Sequence, residues 1–290
     1  MNIFVTGASG FSGYHVVDYL MKNNYNLTAL MRQENKENKL LKNENINFIY
    51  KPLEDLKFLP DGIDIIIHSA AVSPMEKIKS ADFIQSNIVA THNLVHLAKK
   101  HKVKKFIFFS TVSVYGEIND LILNEASPII NPNNYGLSKL MSELCLKDAS
   151  SDMMSLAIRF PAIIGKGAKR HWLANTLNKA LLNQDINIFN PDSYFNNAVH
   201  IQEICKFIES LFSKEWSGFD VINISSSGGI TINNIINMII KKTGSSSQII
   251  KESSPKHHFT ICHKKAERIY GYRPIPFEEA LQNYLSDSIT

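Results

Sequence analysis

The sequence predicts an α/β fold: a doubly wound parallel sheet followed by a smaller C-terminal lobe. Three observations carry this. Short β-branched or aromatic runs alternate with longer helical patterns through residues 1–165, the rhythm of parallel strands joined by crossover helices. Runs such as "DIIIH" (64–68) and "KFIFF" (105–109) are apolar without alternation, which suits strands covered on both faces. A glycine-rich turn, "VTGASGFSG" (5–13), joins the first apolar run to the first helical pattern.

Taken in order, "NIFV" (2–5) is the first strand and the stretch from Phe11 to Asn23 the first helix. "NLTAL" (26–30), "INFIY" (46–50) and "IDIIIH" (63–68) are the next strands. Apolar residues at helical spacing run from Ile78 to His101, and "KFIFFS" (105–110) is a fifth strand. "YGLSKLMSELCLKDA" (135–149) is a helix and "SLAIRF" (155–160) a sixth strand. After Gly165 the rhythm changes. A basic loop (Lys166 to Arg170) leads into a helix over Trp172 to Asn183, with strand-like pieces around Ile188 and Val221. Further helices are expected at Ile201–Phe212, Ile230–Lys242 and from Pro276 to Leu285. The expected division is a dinucleotide-binding domain over 1–165, its sheet completed by parts of 196–225, and a smaller substrate-binding lobe over 166–290.

The chain has 290 residues, a formal charge of +4 and 20% charged residues. Such a balance does not suggest a nucleic-acid partner, which needs basic residues gathered on one face. No window approaches the ~18 consecutive apolar residues that span a bilayer, and the first residues lack the pattern of a secretory signal. Cys145, Cys205 and Cys262 are sparse and far apart, as expected of reduced thiols in a cytoplasmic protein. No membrane partner is expected. His257 and His258 have no neighbours at metal-ligand spacing, so no metal is expected. His68, at a strand end, is expected to be packed and hydrogen-bonded.

A glycine turn between a first strand and a first helix brings backbone N–H groups to the positive end of that helix, where a pyrophosphate binds. Gly7, Gly10 and Gly13, with Ser9, Phe11 and Ser12 between and beside them, are therefore the first cofactor candidates, in a Rossmann-type setting. NAD-preferring sites place a carboxylate at the end of the second strand. Here "ALMRQ" (29–33) has none, and Arg32 follows the strand. A guanidinium suits a 2′-phosphate, so NADP(H) is favoured, with NAD(H) as the other possibility.

"YGLSK" sets Tyr135 and Lys139 four apart, on one helix face. A free phenol has a pKa near 10, and bringing it to neutrality takes about 4 kcal/mol. A neighbouring ammonium and a pyridinium ring favour the phenolate. Thr111, in "FFSTVSVYG" (108–116), ends the fifth strand, where α/β sheets bind ligands, and can hydrogen-bond a reacting oxygen. Ser110 and Ser113 suit turn caps.

On these motifs, together with "HSAA" (68–71), "SNIVATHNL" (86–94) and "RFPAIIG" (159–165), the chain resembles the extended short-chain dehydrogenases/reductases. These are the nucleotide-sugar epimerases, dehydratases and ketoreductases. The resemblance implies Thr111, Tyr135 and Lys139 as the catalytic set. It adds Leu53, Ala70, Ala71, Asn87, Phe160, Pro161 and Ile163 to the cofactor contacts. Substrate contacts would be Ser73, Thr111, Ser113, Lys169, Arg170 and Arg268. It also implies a nucleotide-sugar substrate and a homodimer formed through the helices at 78–101 and 135–149.

Departures from the family narrow the reaction. Dehydratases carry an Asp-Glu pair after the catalytic threonine; Val112 and Ser113 stand here. The arginine that many relatives place before "VH" is replaced by Asn196, Asn197 and Ala198. The leading expectation is thus an NADPH-dependent 4-ketoreductase. The alternatives are an NAD-dependent 4-epimerase and, in another class, a non-catalytic dinucleotide sensor or scaffold.

Overall fold

The computed structural model describes residues 1–34, 40, 46–253 and 258–289. It separates into two compact units. The first comprises Met1–Glu117, Pro128–Arg159 and Cys205–Ile222. Strands β1 (Asn2–Thr6), β2 (Asn26–Met31), β3 (Ile46–Tyr50), β4 (Ile65–His68) and β5 (Lys105–Thr111) run parallel. Two later strands, Met154–Phe160 and Phe219–Asn223, extend the sheet beyond β5. Across it the order is Phe219–Asn223, Met154–Phe160, β5, β4, β1, β2, β3. The chain reverses direction of travel between β1 and β4, and such a switch point opens a crevice at the carboxyl ends of the strands.

The strands match the apolar runs because every residue of β4 and β5 is buried. Helix α1 (Phe11–Lys22) buries Gly13, Val16, Val17 and Leu20, a stripe at helical spacing. The main core joins Phe4, Ile66, Phe106 and Phe108 of the sheet to Leu94, Ala98 and Leu146 of the helices.

The pattern from Ile78 to His101 is not one regular helix. A short α2 (Ser80–Phe83) passes into a π-helical turn, Ile84–Val89, before α3 (Ala90–Lys100). The cause is visible at Asn87, which is buried inside the π turn. Its amide grips both backbone groups of Val72, at 2.7 and 3.1 Å, and donates to Ser138 Oγ at 2.9 Å. π turns recur where a side chain must be re-aimed.

Lys105 opens β5 yet is buried. Its ammonium donates to the carbonyls of Phe212 at 2.7 Å and Lys214 at 2.5 Å, and meets Glu215 at 3.2 Å. These carbonyls follow the helix Ile201–Ser210, so a cation satisfies acceptors left beyond its end.

The second unit comprises Ile118–Ser127, Phe160–Ile204 and Asn223–Thr290. Its core gathers Leu173, Leu177, Ile188, Ile236, Phe277 and Tyr284. Short strand pairs frame it, among them Ala162–Ile164 beside Ala198–His200 and Ile186–Phe189 beside Ile249–Glu252. A helix unforeseen in the sequence, Lys264–Tyr270, ends on Gly271 in the left-handed conformation, a common stop. The last helix runs from Phe277 to Ile289, beyond the expected Leu285. Among the described residues no helix is long and apolar enough to cross a membrane. The three cysteines are unpaired.

Replacing Lys105 with Ala removes bonds from a charged donor, each worth about 1.5–3 kcal/mol. Urea unfolding should show a loss of that order; an unchanged midpoint would mean water replaces the ammonium without cost.

Candidate active site

The glycine turn leaves β1 at Thr6 and enters α1 at Phe11. Gly7 has a positive φ of 74°. A Cβ there would lie 2.6 Å from the Ala70 nitrogen, and one at Gly13 would lie 2.2 Å from the Gly7 carbonyl oxygen. The turn is therefore pressed between the exit of β4 and the first turn of α1, with room for glycine alone. Gly10 is the N-cap and offers no side-chain hydrogen bond, and the first turn carries no acidic residue. Such an end keeps its N–H donors and positive field for an anion, so these residues fit a dinucleotide pyrophosphate. Ser9 and Gly10 are exposed; Phe11 and Ser12 are half-buried.

Around the turn, Thr6 is the central link. Its hydroxyl oxygen accepts from the Ala70 N–H at 3.2 Å and meets His68 Nδ1 at 2.7 Å. His68 Nε2 lies 2.8 Å from Thr91 Oγ1. Burial holds His68 well below its usual pKa, with the charge of Lys139 adding to the effect. It is the packed, hydrogen-bonded imidazole expected from the sequence. Arg32 follows β2 and is exposed; its Nη2 donates to Ser86 Oγ at 3.4 Å. Leu53 is buried in a 3₁₀ turn, Leu53–Asp55. Ala71 is exposed and Ser73 half-buried on the segment that follows Ala70.

At the end of β5, Thr111 itself caps the turn Val112–Tyr115, accepting from the Ser113 N–H at 3.2 Å. It also donates to Ser113 Oγ at 3.2 Å. The capping role expected of Ser110 thus falls to Thr111, and Ser110 Oγ instead donates to Glu143 at 2.5 Å. Helix α4 (Asn134–Asp148) starts on the Asn133 side chain, which accepts from the Gly136 N–H at 2.9 Å. A Cβ on Gly136 would lie 2.1 Å from the Ser113 carbonyl oxygen. Glycine at this position lets the first turn of α4, with Tyr135, close on the turn after Thr111. Within "YGLSK" it was the unread signal.

Tyr135 and Lys139 share one face of α4. Lys139 is 2% exposed, its ammonium 4.1 Å from the centre of the Phe108 ring. Desolvation acts on both groups. Burial raises Tyr135 to about 12 and lowers Lys139 to about 7, the carboxylate of Glu143 opposing the latter. Burial therefore holds the phenol in its neutral form.

Glu143 and Arg159 escaped the sequence reading. Arg159 was the clue: a charge inside the apolar run "SLAIRF" needs a buried partner. Asn87, expected as a cofactor contact, clamps the Val72 backbone to α4 through Ser138.

The remaining candidates belong to the second unit. Phe160 is buried, Pro161 is half-buried, and Ile163 pairs with Val199. Lys169, Arg170 and Arg268 are exposed. Asn196, where relatives carry arginine nearby, is a buried tie: it donates to the Ile261 carbonyl at 2.9 Å and accepts from the Ile261 N–H at 2.8 Å. Ser225, His263 and Glu267 form a chain with steps of 2.8 and 3.8 Å, but Ser225 is wholly buried and its hydroxyl donates to the Ile261 carbonyl. It is no nucleophile. His257 lies outside the described residues; among those described, no group of three His, Cys, Asp or Glu could hold a metal.

A family model described as "NAD dependent epimerase/dehydratase family" matches residues 3–225. The UDP-glucose 4-epimerase of Halalkalibacterium halodurans is 31% identical over 150 residues, covering 49% of this chain and 44% of that protein. The dTDP-D-glucose 4,6-dehydratase of Dictyostelium discoideum is 28% identical over 257 residues, covering 77% and 58%. The crystal structure of UDP-glucuronic acid 4-epimerase from Bacillus cereus in complex with NAD superposes with a TM-score of 0.84. It is 23% identical and the match covers 99% of this chain and 98% of that one.

A lysine at about 7 in the folded chain and near 10.4 unfolded costs stability. The penalty grows as pH falls from about 10 to 7 and is constant below, because only the unfolded state takes up the proton in that window. Lys139→Met should thus raise stability by up to about 4 kcal/mol near pH 7. The gain should vanish by about pH 10.5. Urea titrations at the two pH values measure it; equal gains at both would refute the depressed amine.

Proposed function

The chain belongs to the NAD-dependent epimerase/dehydratase family, and from that premise we propose that it is an NAD-dependent 4-epimerase of a nucleotide-linked sugar. The observation that carries the reading is the meeting of the turn after Thr111 with the Tyr135–Lys139 helix, with Val112 and Ser113 where a dehydratase needs an acidic pair. Such a set can move a proton on and off one hydroxyl and has nothing with which to eliminate water.

In this reading Tyr135 takes the proton from the sugar 4-hydroxyl and returns it after the ring turns over. Thr111 hydrogen-bonds the same oxygen and fixes it near the phenol. Lys139 holds the cofactor ribose and favours the phenolate. NAD, when bound, supplies the hydride acceptor and the positive ring that the protein's own groups do not replace. The N–H groups at Phe11 to Gly13 hold its pyrophosphate, and Leu53, Ala70 and Ala71 border it. The family and the relatives favour this over the NADPH-dependent 4-ketoreductase expected from Arg32. The argument for NADP(H) rested on one exposed guanidinium, already in contact with Ser86.

We also propose a homodimer through α4. Leu137, Met141 and Leu144 are 46%, 39% and 43% exposed, spaced four and three apart on one face, and the resemblance implies pairing there.

Three outcomes test the enzyme. Incubation with UDP-glucose, UDP-galactose or UDP-glucuronic acid should yield the 4-epimer by NMR without net change in NAD. Tyr135→Phe should lower turnover by roughly 10²–10⁴-fold, while calorimetric NAD affinity stays within a few-fold; near-parent turnover would reject the role. Sustained consumption of NADPH with a 4-keto sugar nucleotide would instead establish the ketoreductase.

For the assembly, light scattering should give a particle of two chains. Leu137→Glu with Met141→Glu should give one; a monomeric parent would sink the proposal.

A further inference from the structure

Behind Tyr135 and Lys139 lies a buried ion cluster that the proposed proton transfer does not itself use. Glu143 follows Lys139 by four residues on α4, one turn along the same face, and is 2% exposed. One carboxylate oxygen accepts from Ser110 Oγ at 2.5 Å and from Arg159 Nε at 3.0 Å; the other accepts from Arg159 Nη2 at 2.7 Å. The guanidinium lies 4.7 Å from the centre of the Tyr115 ring. Ser110 directly precedes Thr111. A single carboxylate therefore joins the end of β5, the middle of α4 and the strand Met154–Phe160. Stability alone is a poor reason for such a cluster, since apolar residues of similar volume often serve as well or better.

We propose that Glu143 is a positioning residue for the Tyr135–Lys139 pair. Its fixed negative charge keeps Lys139 an ammonium, and its bond to Ser110 sets Thr111 against α4. The inference rests on the acid–base reading above. Burial pushes Lys139 down, and Glu143 is the neighbour that opposes it. The other titratable groups packed around the amine do not help. His68 on β4 is held neutral by burial, and the Tyr135 phenol is raised by its own burial. Burial works against the charge of Arg159, but Glu143 outweighs it and keeps the guanidinium a cation above the ring of Tyr115.

The test reads Lys139 directly, without substrate or cofactor. In protein carrying ¹³Cε-lysine, the resonance lost in Lys139→Arg is followed against pH by NMR. Glu143→Gln should move its transition lower by about one pH unit or more, a tenfold change in proton affinity. Glu143→Asp should keep it close to the parent. If an unpaired Arg159 prevents folding, the double variant Glu143→Gln with Arg159→Met removes both charges together and should still lower the transition, by less, because the lost guanidinium works the other way. With NAD and UDP-glucose, the acidic limb of 4-epimer formation should move to higher pH in the variant, because a neutral amine no longer favours the phenolate. An unshifted Lys139 transition in the double variant would make the cluster merely structural and overturn the proposal. Full turnover in Tyr135→Phe would instead end the acid–base reading while leaving the Lys139 titration intact.

Discussion

An amine withdrawn from water beside a phenol is the costly arrangement on which the first unit turns. Lys139 has almost no solvent contact, rests on the face of Phe108 and is shadowed by a carboxylate one turn away. Left to burial alone, both groups on α4 drift to their neutral forms, the phenol upward and the amine downward. The surrounding structure answers with fixed partners. A neutral imidazole stands on one side and an ion-paired carboxylate on the other. The site is strained in its charges, not in its backbone, and function and stability pull against each other there.

The same unit solves a packing problem with glycine. At Gly7, Gly13 and Gly136 a side-chain carbon would strike a main-chain atom. Each contact brings the end of one element against the start of another: β1 against β4, α1 against its own turn, α4 against the loop after β5. The parallel order β5, β4, β1, β2 places these ends at one edge of the sheet. Topology and missing side chains together leave the donors at the start of α1 open at the carboxyl ends of the strands.

Much of this was legible in the chain. Strands covered on both faces print themselves as unbroken apolar runs, so β4 and β5 fall within two residues of where the letters put them. Tyr135, Lys139 and the glycines were legible through their places after particular strands, since their spacings alone are common. What escaped depends on partners far away in sequence. The pair of Glu143 with Arg159 joins a helix to a strand 16 residues on, and only the odd arginine hinted at it. Desolvation of Lys139 and Tyr135 is a property of assembled neighbours, which no spacing along the chain displays. The choice between NAD and NADP was carried by one guanidinium at a strand end, which the fold leaves on the surface against Ser86.

The π turn at Ile84–Val89 carries a further consequence. It contains one residue more than a regular turn would need, and that surplus is what swings Asn87 inward to hold Val72 and Ser138. Removing any single residue from the segment would restore an ordinary α-helix. The flanking turns would keep their faces, but Asn87 would lose the wide turn that aims it inward, however faithfully its identity was kept. At this point the molecule is sensitive to count as well as to composition: substitutions can be absorbed one by one, whereas a deletion of one codon rewrites the connection between two walls of the crevice.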